Sequence, residues 1–357
     1  MNRSSLAGTR MPGRCLVALM ALWVIADTSA QDTAIAPAER AELVNNAASM
    51  LTAEYIDPGL AEKMAQAIRQ RADRREYDAI TNGQALADKL TVDLRAVSHD
   101  KHLWVGYQPG GAKDEAVDGP TPAELDQWRD AIAGDNFSFD KVERLPGNIG
   151  YLKFRIFAYP YLASDTASAA MSFVAHTDAL IIDLRDNIGG DPAMVSFLAS
   201  YLFDVPTQLN DIQFRRNDQV RQYWTLPHVP GQRFGGSKPV YVLTSPNTFS
   251  AAEDFAYALK HTRRARIVGE ASGGGAHPSR AFKVTEHFVV SIPYARSVSP
   301  ITHDNWEGKG VLPDITVPVA DALKAAYAAA LDELSVRTSD EGRKQALKAL
   351  REKGLAP

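Results

Sequence analysis

Apolar residues recur at helical spacing through the first part of the chain, from Ala38 to about Val97. Four of them lie on one face of the first predicted helix, four residues apart: Leu43, Ala47, Leu51 and Tyr55. Asp57-Pro58-Gly59 ends that helix, because proline and glycine interrupt helical backbone. Two more helical stretches follow before a short strand at His102–Tyr107. The pattern predicts a small helical N-terminal domain over residues 31–108.

A different pattern begins at Asn148, where short apolar runs alternate with helical segments. The runs predict strands at Ile149–Phe157, Ala179–Leu184, Val240–Leu243 and Arg266–Val268. The segments between them predict helices at Ala163–Ala175, Asp191–Phe203 and Ser250–His261. Strands that are apolar on both faces and are separated by helices indicate a parallel sheet. We therefore predict an α/β domain over residues 148–320, with a mainly parallel sheet and flanking helices.

The remaining segments predict connections and additions to these two domains. Residues 109–147 are rich in Gly, Pro and Asp and predict a connector with one short helix at Pro122–Ile132. Residues 282–284 and 288–292 predict an added hairpin. The last part, 321–357, predicts a helix with one apolar face, followed after Ser335 by a polar tail that frays.

The first thirty residues predict a secretory signal peptide. Three arginines precede an apolar run from Cys15 to Ala26, and Thr28-Ser29-Ala30 offers small residues for cleavage. The run is shorter than the roughly 20 residues that a membrane span needs. We therefore expect a protein that is periplasmic or secreted, with no stable membrane span after cleavage.

The composition agrees with a globular protein, since 45% of the residues are hydrophobic and 23% are charged. Removal of residues 1–30 would take away three Arg and one Asp and change the formal net charge from −4 to −6. This acidic balance, without a basic stripe, argues against a nucleic-acid partner. The single cysteine, Cys15, lies in the predicted signal peptide, so the mature chain would have no thiol nucleophile and no disulfide.

Two loops follow predicted strands of the parallel sheet, Asp186–Gly190 and Ser245–Phe249. The right-handed crossover rule brings the carboxyl ends of such strands to one edge, where ligands bind in open α/β sheets. The paired glycines Gly189 and Gly190 allow backbone N–H groups to approach a substrate. The same residues also fit an ordinary strand-to-helix turn.

Ser250 is a candidate nucleophile because it begins a helix directly after the second of these loops. An oxyanion that forms beside it would lie near the free N–H groups of the first helical turn, such as that of Ala251. Ser250-Ala251-Ala252-Glu253 is also a capping box, in which the serine and the glutamate satisfy each other's backbone N–H groups. On these residues alone, capping is the favoured interpretation.

A serine nucleophile needs a base, and the chain has eight histidines. His99 and His102 suggest a metal pair, but no further ligands with metal-site spacing accompany them, so no metal is predicted. Glu307 either orients such a base or is an exposed glutamate, as most are.

Four segments together resemble the tail-specific, or C-terminal processing, serine peptidases: Ile181–Gly190, Thr248–Glu253, Val268–Glu270 and Glu307–Ile315. The N-terminal helices end in Asp100-Lys101-His102-Leu103, which is similar to the branch named for the interphotoreceptor retinoid-binding protein and related to the tricorn protease core. The resemblance implies a crotonase-like core. It also implies that Ser250 is the nucleophile, since the family's serine occupies this place in the Ser-Ala-Ala-Glu segment.

Two departures from the family pattern select this branch. Ser272–His277 stands where the classical members carry a catalytic lysine, so a Ser–Lys pair is not expected, and the short connector leaves no room for a PDZ domain. The tricorn-like branch instead uses an N-terminal histidine and a late glutamate, which implies His102 and Glu307. Lys101 replaces the serine that precedes the tricorn histidine. Ser98-His99 has that serine–histidine order, so His99 is a second candidate for the base.

These roles together predict a serine endopeptidase that cleaves peptide or protein substrates through an acyl-enzyme. Ser250 would attack the peptide carbonyl, and His102 would act as the base. Glu307 would orient His102 or stabilise its charged form. N–H groups of Ala251 and of Gly189 or Gly190 would bind the oxyanion. No cofactor is implied. The alternative is a non-catalytic protein that binds an apolar ligand on the same fold, as some members of the retinoid-binding branch do.

Overall fold

The structure, a computed structural model, describes residues 34–112 and 121–355, so the predicted signal peptide lies outside the described residues. The helices are α1 Pro37–Glu54, α2 Pro58–Asp73, α3 Gly83–Ser98, α4 Pro122–Ala133, α5 Pro160–Val174, α6 Pro192–Ala199, α7 Ala251–His261, α8 Ala322–Arg337 and α9 Glu341–Lys353. The strands are β1 Trp104–Tyr107, β2 Phe139–Leu145, β3 Ile149–Phe154, β4 Ala179–Asp183, β5 Gln208–Phe214, β6 Val220–Trp224, β7 Val240–Thr244, β8 Arg266–Gly269, β9 Ser279–Lys283, β10 Phe288–Pro293, β11 Ala295–Val298 and β12 Ile315–Thr316.

The central sheet has six strands in the order β12-β8-β7-β4-β3-β2. All neighbours pair in parallel except β2, which is antiparallel to β3. Every residue of β4 and β7 is buried, because helices cover both faces of these strands. Helices α5, α6 and α7 cover one face, and α8 covers the other. The predicted mixed α/β fold with a mainly parallel sheet is therefore confirmed.

The N-terminal helices share one hydrophobic core with the predicted hairpin, although the hairpin is more than 170 residues further along the chain. Strand β1 pairs antiparallel with β10, which pairs with β9. The hairpin is thus an extension of the N-terminal unit rather than of the main sheet. This pairing anchors the loop before β1, which carries Asp100 and His102, at the boundary between the two parts.

The structure differs from the sequence-based prediction in three segments. The second half of the predicted connector forms β2, an edge strand of the central sheet, whose residues alternate too weakly between polar and apolar to indicate a strand. The tail that was expected to fray contains α9, which buries Leu347 beside α8. Strands β5, β6 and β11 form a third sheet that the sequence did not predict, since β6 is mostly exposed.

Among residues 34–112 and 121–355, no helix is both long enough and apolar enough to cross a membrane.

Candidate active site

Ser250 occupies a sharp turn between β7 and α7. Its backbone has φ 53° and ψ −120°, a strained conformation for a residue with a side chain. The turn is anchored to the neighbouring strand–helix loop, because Thr248 Oγ1 donates to the carbonyl of Leu184 at 2.7 Å and Phe249 N–H donates to that of Asn187 at 3.0 Å. A tight strand-to-helix turn of this kind presents a serine hydroxyl at the edge of the sheet.

His102 lies beside this hydroxyl. Its Nε2 atom is 3.1 Å from Ser250 Oγ, within hydrogen-bonding distance. The imidazole is only 4% exposed and packs on the ring of Phe249, with 4.5 Å between centroids. Burial lowers the pKa of His102 to about 4, and the nearby Asp100 carboxylate only partly opposes this effect. The imidazole is therefore neutral at pH 7 and can accept a proton.

Asp100 is the acidic residue next to His102. Its Oδ1 atom accepts the backbone N–H of His102 at 2.9 Å and lies 4.0 Å from His102 Nδ1. Nδ1 is buried and has no hydrogen-bond partner among the described residues. The hydroxyl of Tyr55 donates to Asp100 Oδ2 at 3.2 Å.

Glu307 does not contact His102. Its Oε2 atom accepts the N–H of Ala276 at 2.6 Å and lies 3.6 Å from Nδ1 of His277. Burial, together with the charge of Asp100, raises the pKa of Glu307 to about 7. The structure thus brings Ser250 and His102 into direct contact, whereas His277 and Asp100 lie between Glu307 and the imidazole.

His277, to which the sequence assigned no role, connects the two acids. Its Nδ1 atom is 2.9 Å from Asp100 Oδ2. Burial opposes a charge on His277, but the hydrogen bond to Asp100 and the charge of Glu307 outweigh it and raise its pKa. Burial would likewise raise the pKa of Asp100, yet the hydrogen bond from His277 and the positive charge that His102 carries when protonated lower it.

The glycine-rich loop 272–275 is held against Ser250 by Glu253. The two oxygens of this buried carboxyl accept hydrogen bonds from Ser272 Oγ at 2.6 Å and from the N–H groups of Gly274 and Gly275 at 2.6 and 2.8 Å. The Ser250 N–H donates to the same group at 2.8 Å, which is the Glu253 half of the predicted capping box. Capping by Glu253 and contact with His102 therefore coexist at Ser250.

The candidate oxyanion donors differ in how freely they can donate. The N–H of Gly189 already donates to Asn187 Oδ1 at 3.0 Å. Among the described residues, neither the Gly190 N–H nor the Ala251 N–H has an acceptor. Gly189 lies directly against the nucleophile, since a Cβ atom there would be 2.7 Å from that of Ser250. Gly190 and Ala251 are thus the candidates with an unengaged N–H.

Lys101 and His99 bear on the choice of His102 as the base, and the structure gives each of them a different position. Lys101, which replaces the tricorn serine, donates its Nζ to the carbonyl of Gly273 at 2.5 Å and so braces the glycine loop. His99 ends α3 in a left-handed conformation with φ 58° and is exposed. His99, the second candidate for the base, thus lies at the C-terminus of a helix, whereas His102 is within hydrogen-bonding distance of Ser250.

One group of side chains has the composition of a metal site. Asp100, His277 and Glu307 carry ligand atoms that lie within 4.8 Å of one another. Carboxylate and imidazole groups are ligands for zinc. The hydrogen bond between His277 and Asp100 and the one from Ala276 to Glu307 already satisfy these atoms without an ion.

Two family models match the chain. The model described as peptidase family S41 matches residues 148–317, and the model described as the N-terminal domain of Peptidase_S41 in eukaryotic IRBP matches residues 29–130. Together they cover both parts of the fold, including the segments that carry Ser250 and His102.

Curated relatives are carboxy-terminal processing proteases. The chain is 26% identical over 221 residues to carboxy-terminal processing protease CtpB of Bacillus subtilis, covering 61% of this chain and 44% of that protein. It is 28% identical over 244 residues to the chloroplastic carboxyl-terminal-processing peptidase 2 of Arabidopsis thaliana, covering 65% and 45%. The chain thus spans about half the length of the curated relatives it matches.

Solved structures share the fold at low sequence identity. A lipoprotein from Streptococcus agalactiae superposes with a TM-score of 0.55 at 13% identity, over 84% of this chain and 98% of that one. A putative peptidase from Parabacteroides merdae gives 0.51 at 19% identity, over 77% and 90%. The tricorn protease gives 0.50 at 13% identity, over 88% and 37%.

Proposed function

Because the chain belongs to peptidase family S41, we propose that it is a serine endopeptidase that cleaves peptide or protein substrates through an acyl-enzyme at Ser250. The observation that supports this proposal most directly is the 3.1 Å distance between Ser250 Oγ and His102 Nε2. A nucleophile and a base within hydrogen-bonding reach are the minimum that acyl transfer requires.

His102 acts as the general base in this proposal. Its neutral Nε2 accepts the Ser250 proton as Oγ attacks the peptide carbonyl, and the proton then passes to the leaving amine. In the second half of the reaction, the same nitrogen takes a proton from the water that attacks the acyl-enzyme, and returns it to Ser250 Oγ as the acid product leaves. The depressed pKa of His102 keeps Nε2 free to accept the proton at neutral pH.

The developing oxyanion is bound by backbone N–H groups at the start of α7 and in the Gly189-Gly190 loop. Ala251 N–H and Gly190 N–H have no acceptor in the described part of the chain, and the positive end of the α7 dipole favours negative charge there. Removal of one such donor typically costs about 100–1000-fold in rate. Glu307 makes no direct contact with the base in this scheme; its carboxyl lies 3.6 Å from Nδ1 of His277, which in turn is 2.9 Å from the Asp100 carboxylate.

The proposed location follows from the sequence of the first thirty residues. We propose a periplasmic or secreted peptidase whose signal peptide is removed and which needs no cofactor. The relatives are named as carboxy-terminal processing proteases, and we extend that class of reaction to this chain as a proposal.

The test is the Ser250→Ala variant. We expect it to stay folded, to lose hydrolysis of a fluorogenic casein and to lose labelling by a fluorophosphonate probe. Ser49→Ala, which removes an exposed serine of α1, is the matched control and should retain both. Undiminished labelling of Ser250→Ala would exclude Ser250 as the nucleophile.

The alternative is a non-catalytic protein that binds an apolar ligand. A folded wild type that neither hydrolyses casein nor reacts with the probe, but carries lipid detectable by mass spectrometry, would favour this alternative.

A further inference from the structure

His102 has one ring nitrogen that the reaction uses and one that is left without a partner. Nε2 faces Ser250, whereas Nδ1 is buried and makes no hydrogen bond to any described residue. A neutral imidazole that accepts a proton at Nε2 carries its own proton on Nδ1. The buried Nδ1–H therefore needs an acceptor, and Asp100 Oδ1, at 4.0 Å, is the carboxylate oxygen beside it.

The need for that acceptor increases during the reaction. When Nε2 takes the serine proton, the imidazole becomes a cation although His102 is almost completely buried. An isolated charge in such surroundings is strongly destabilised unless an opposite charge lies close to it. Hydrogen bonds of catalytic groups are often long in the free enzyme and shorten in the reacting complex. A small movement of the ring would bring Nδ1–H to Asp100.

We propose that Asp100 is the positioning residue for His102, and that His277, beside Glu307, keeps Asp100 ionised and oriented. This inference rests on the proposed function and adds two residues, Asp100 and His277, to its machinery. In this arrangement Asp100 fixes the proton on Nδ1 and stabilises the imidazolium.

Three donors hold the Asp100 carboxylate in place. The His102 backbone N–H binds Oδ1, and the Tyr55 hydroxyl and His277 Nδ1 bind Oδ2. Asp100 is 1% exposed, so these contacts replace water as its hydrogen-bond partners. A buried carboxylate with this many donors remains ionised, as its lowered pKa indicates.

The charged groups around Asp100 come from several elements. His277 and Glu307 face it from the loops that precede β9 and β12, and Tyr55 faces it from the end of α1. Arg95 of α3 donates to the carbonyls of Leu103 and Lys101, so its guanidinium braces the loop that carries both Asp100 and His102. Arg95 and a protonated His277 oppose a charge on His102, and Asp100 is the group that favours it.

The first experiment compares Asp100→Asn with Asp93→Asn. Asp93 is a matched control, because it is buried in α3 and accepts the hydroxyl of Tyr77 at 3.0 Å, as Asp100 accepts that of Tyr55. We expect Asp100→Asn to lower kcat for a fluorogenic casein on the order of 100-fold, with KM within about threefold, since general-base catalysis typically contributes 100–10,000-fold. Asp93→Asn should keep kcat within about threefold.

The pH profile separates a positioning role from a structural one. Because the charge of Asp100 raises the pKa of His102, its removal should move the acid limb of kcat/KM to lower pH. A variant that was only less stable would lose activity without moving that limb. The rate of fluorophosphonate labelling at Ser250 gives the same profile without a peptide substrate.

A second pair of variants keeps the inference testable if Asp100→Asn does not fold. His277→Asn retains a side-chain N–H near the position of Nδ1, whereas His277→Phe removes the donor. We expect His277→Phe to lower kcat about tenfold or more and His277→Asn to recover most of that loss. Wild-type kcat and an unmoved pH limb in Asp100→Asn, or equal rates in both His277 variants, would overturn the inference while Ser250→Ala remained inactive. Activity in Ser250→Ala would instead overturn the proposed function itself.

Discussion

The backbone N–H of Ser250 and the side chain of Glu253 are joined by a hydrogen bond of 2.8 Å, and the same carboxyl holds the glycine loop on the other side. Glu253 is fully buried, and that burial raises its pKa to about 7 although four donors oppose the shift. The start of α7 and the loop that borders His102 are therefore held together by one side chain.

Replacement of Glu253 by Gln should loosen both elements. An amide has one acceptor oxygen and an NH2 group, so at least one of the four donors would face a donor. We expect the free energy of unfolding to fall by about 1–3 kcal/mol, the usual cost of an unsatisfied buried group. Urea unfolding measures this change. Glu124→Gln, in the exposed capping box of α4, is the control and should cost much less. Equal losses in the two variants would contradict the special role of Glu253.

Removal of the two candidate bases should have very different effects. Because His102 Nε2 lies 3.1 Å from Ser250 Oγ, we expect His102→Ala to reduce kcat about 100–10,000-fold. His99 is exposed at the end of α3, so His99→Ala should change kcat little. Steady-state hydrolysis of a fluorogenic casein by both variants decides the point. The reverse order of rates would assign the base to His99.

A methyl group on Gly275 should disturb His102 directly. A Cβ atom there would lie 2.3 Å from Phe249 Cζ and 2.7 Å from His102 Cε1, so the imidazole would have to move. Displacement of a catalytic group by about 1 Å can cost on the order of 100-fold in rate, and we expect a loss of this size in kcat for Gly275→Ala. Gly110→Ala, where nothing lies within 4 Å of the added carbon, should behave as wild type. Unchanged labelling of Gly275→Ala by a fluorophosphonate would show that the pocket can adapt.

The stability of the protein should depend on pH through Asp254, one turn after Ser250 on α7. Burial raises the pKa of Asp254 to about 7, and nearby Asn210 only partly opposes the shift. A carboxyl with a raised folded-state pKa stabilises the fold at low pH and loses that contribution as pH rises through about 7. Asp254→Asn removes this pH-dependent loss of stability, because the asparagine amide does not ionise.

We therefore expect the free energy of unfolding of Asp254→Asn, relative to wild type, to be more favourable at pH 8 than at pH 5 by roughly 2 kcal/mol. Urea unfolding at the two pH values gives the comparison, and Asp165→Asn, at an exposed position of α5, is the control. A difference between Asp254→Asn and wild type that is the same at both pH values would mean that Asp254 does not titrate in this range.

The site could be predicted from the sequence only where its signals are local. The Ser-Ala-Ala-Glu segment and the Gly189-Gly190 loop each follow a buried strand, so a parallel sheet brings them to one edge. The resemblance to a peptidase family then pointed to Ser250, His102 and Glu307. The contact between Asp100 and His277 could not be predicted, because the two residues are 177 positions apart and the resemblance assigns neither of them a role.

The sequence by itself determined most of the elements of the two main units and the class of the fold. Apolar runs such as β4 and β7 must be buried on both faces, and this requirement alone selects a parallel sheet between helices. Tertiary structure decided which side chains meet. The pairing of β1 with β10 carries His102 to Ser250 across 148 residues, and the packing of later loops sets Glu307 beside His277 rather than beside the imidazole. Strand register and packing of distant segments set such contacts, and no local pattern of polar and apolar residues encodes them.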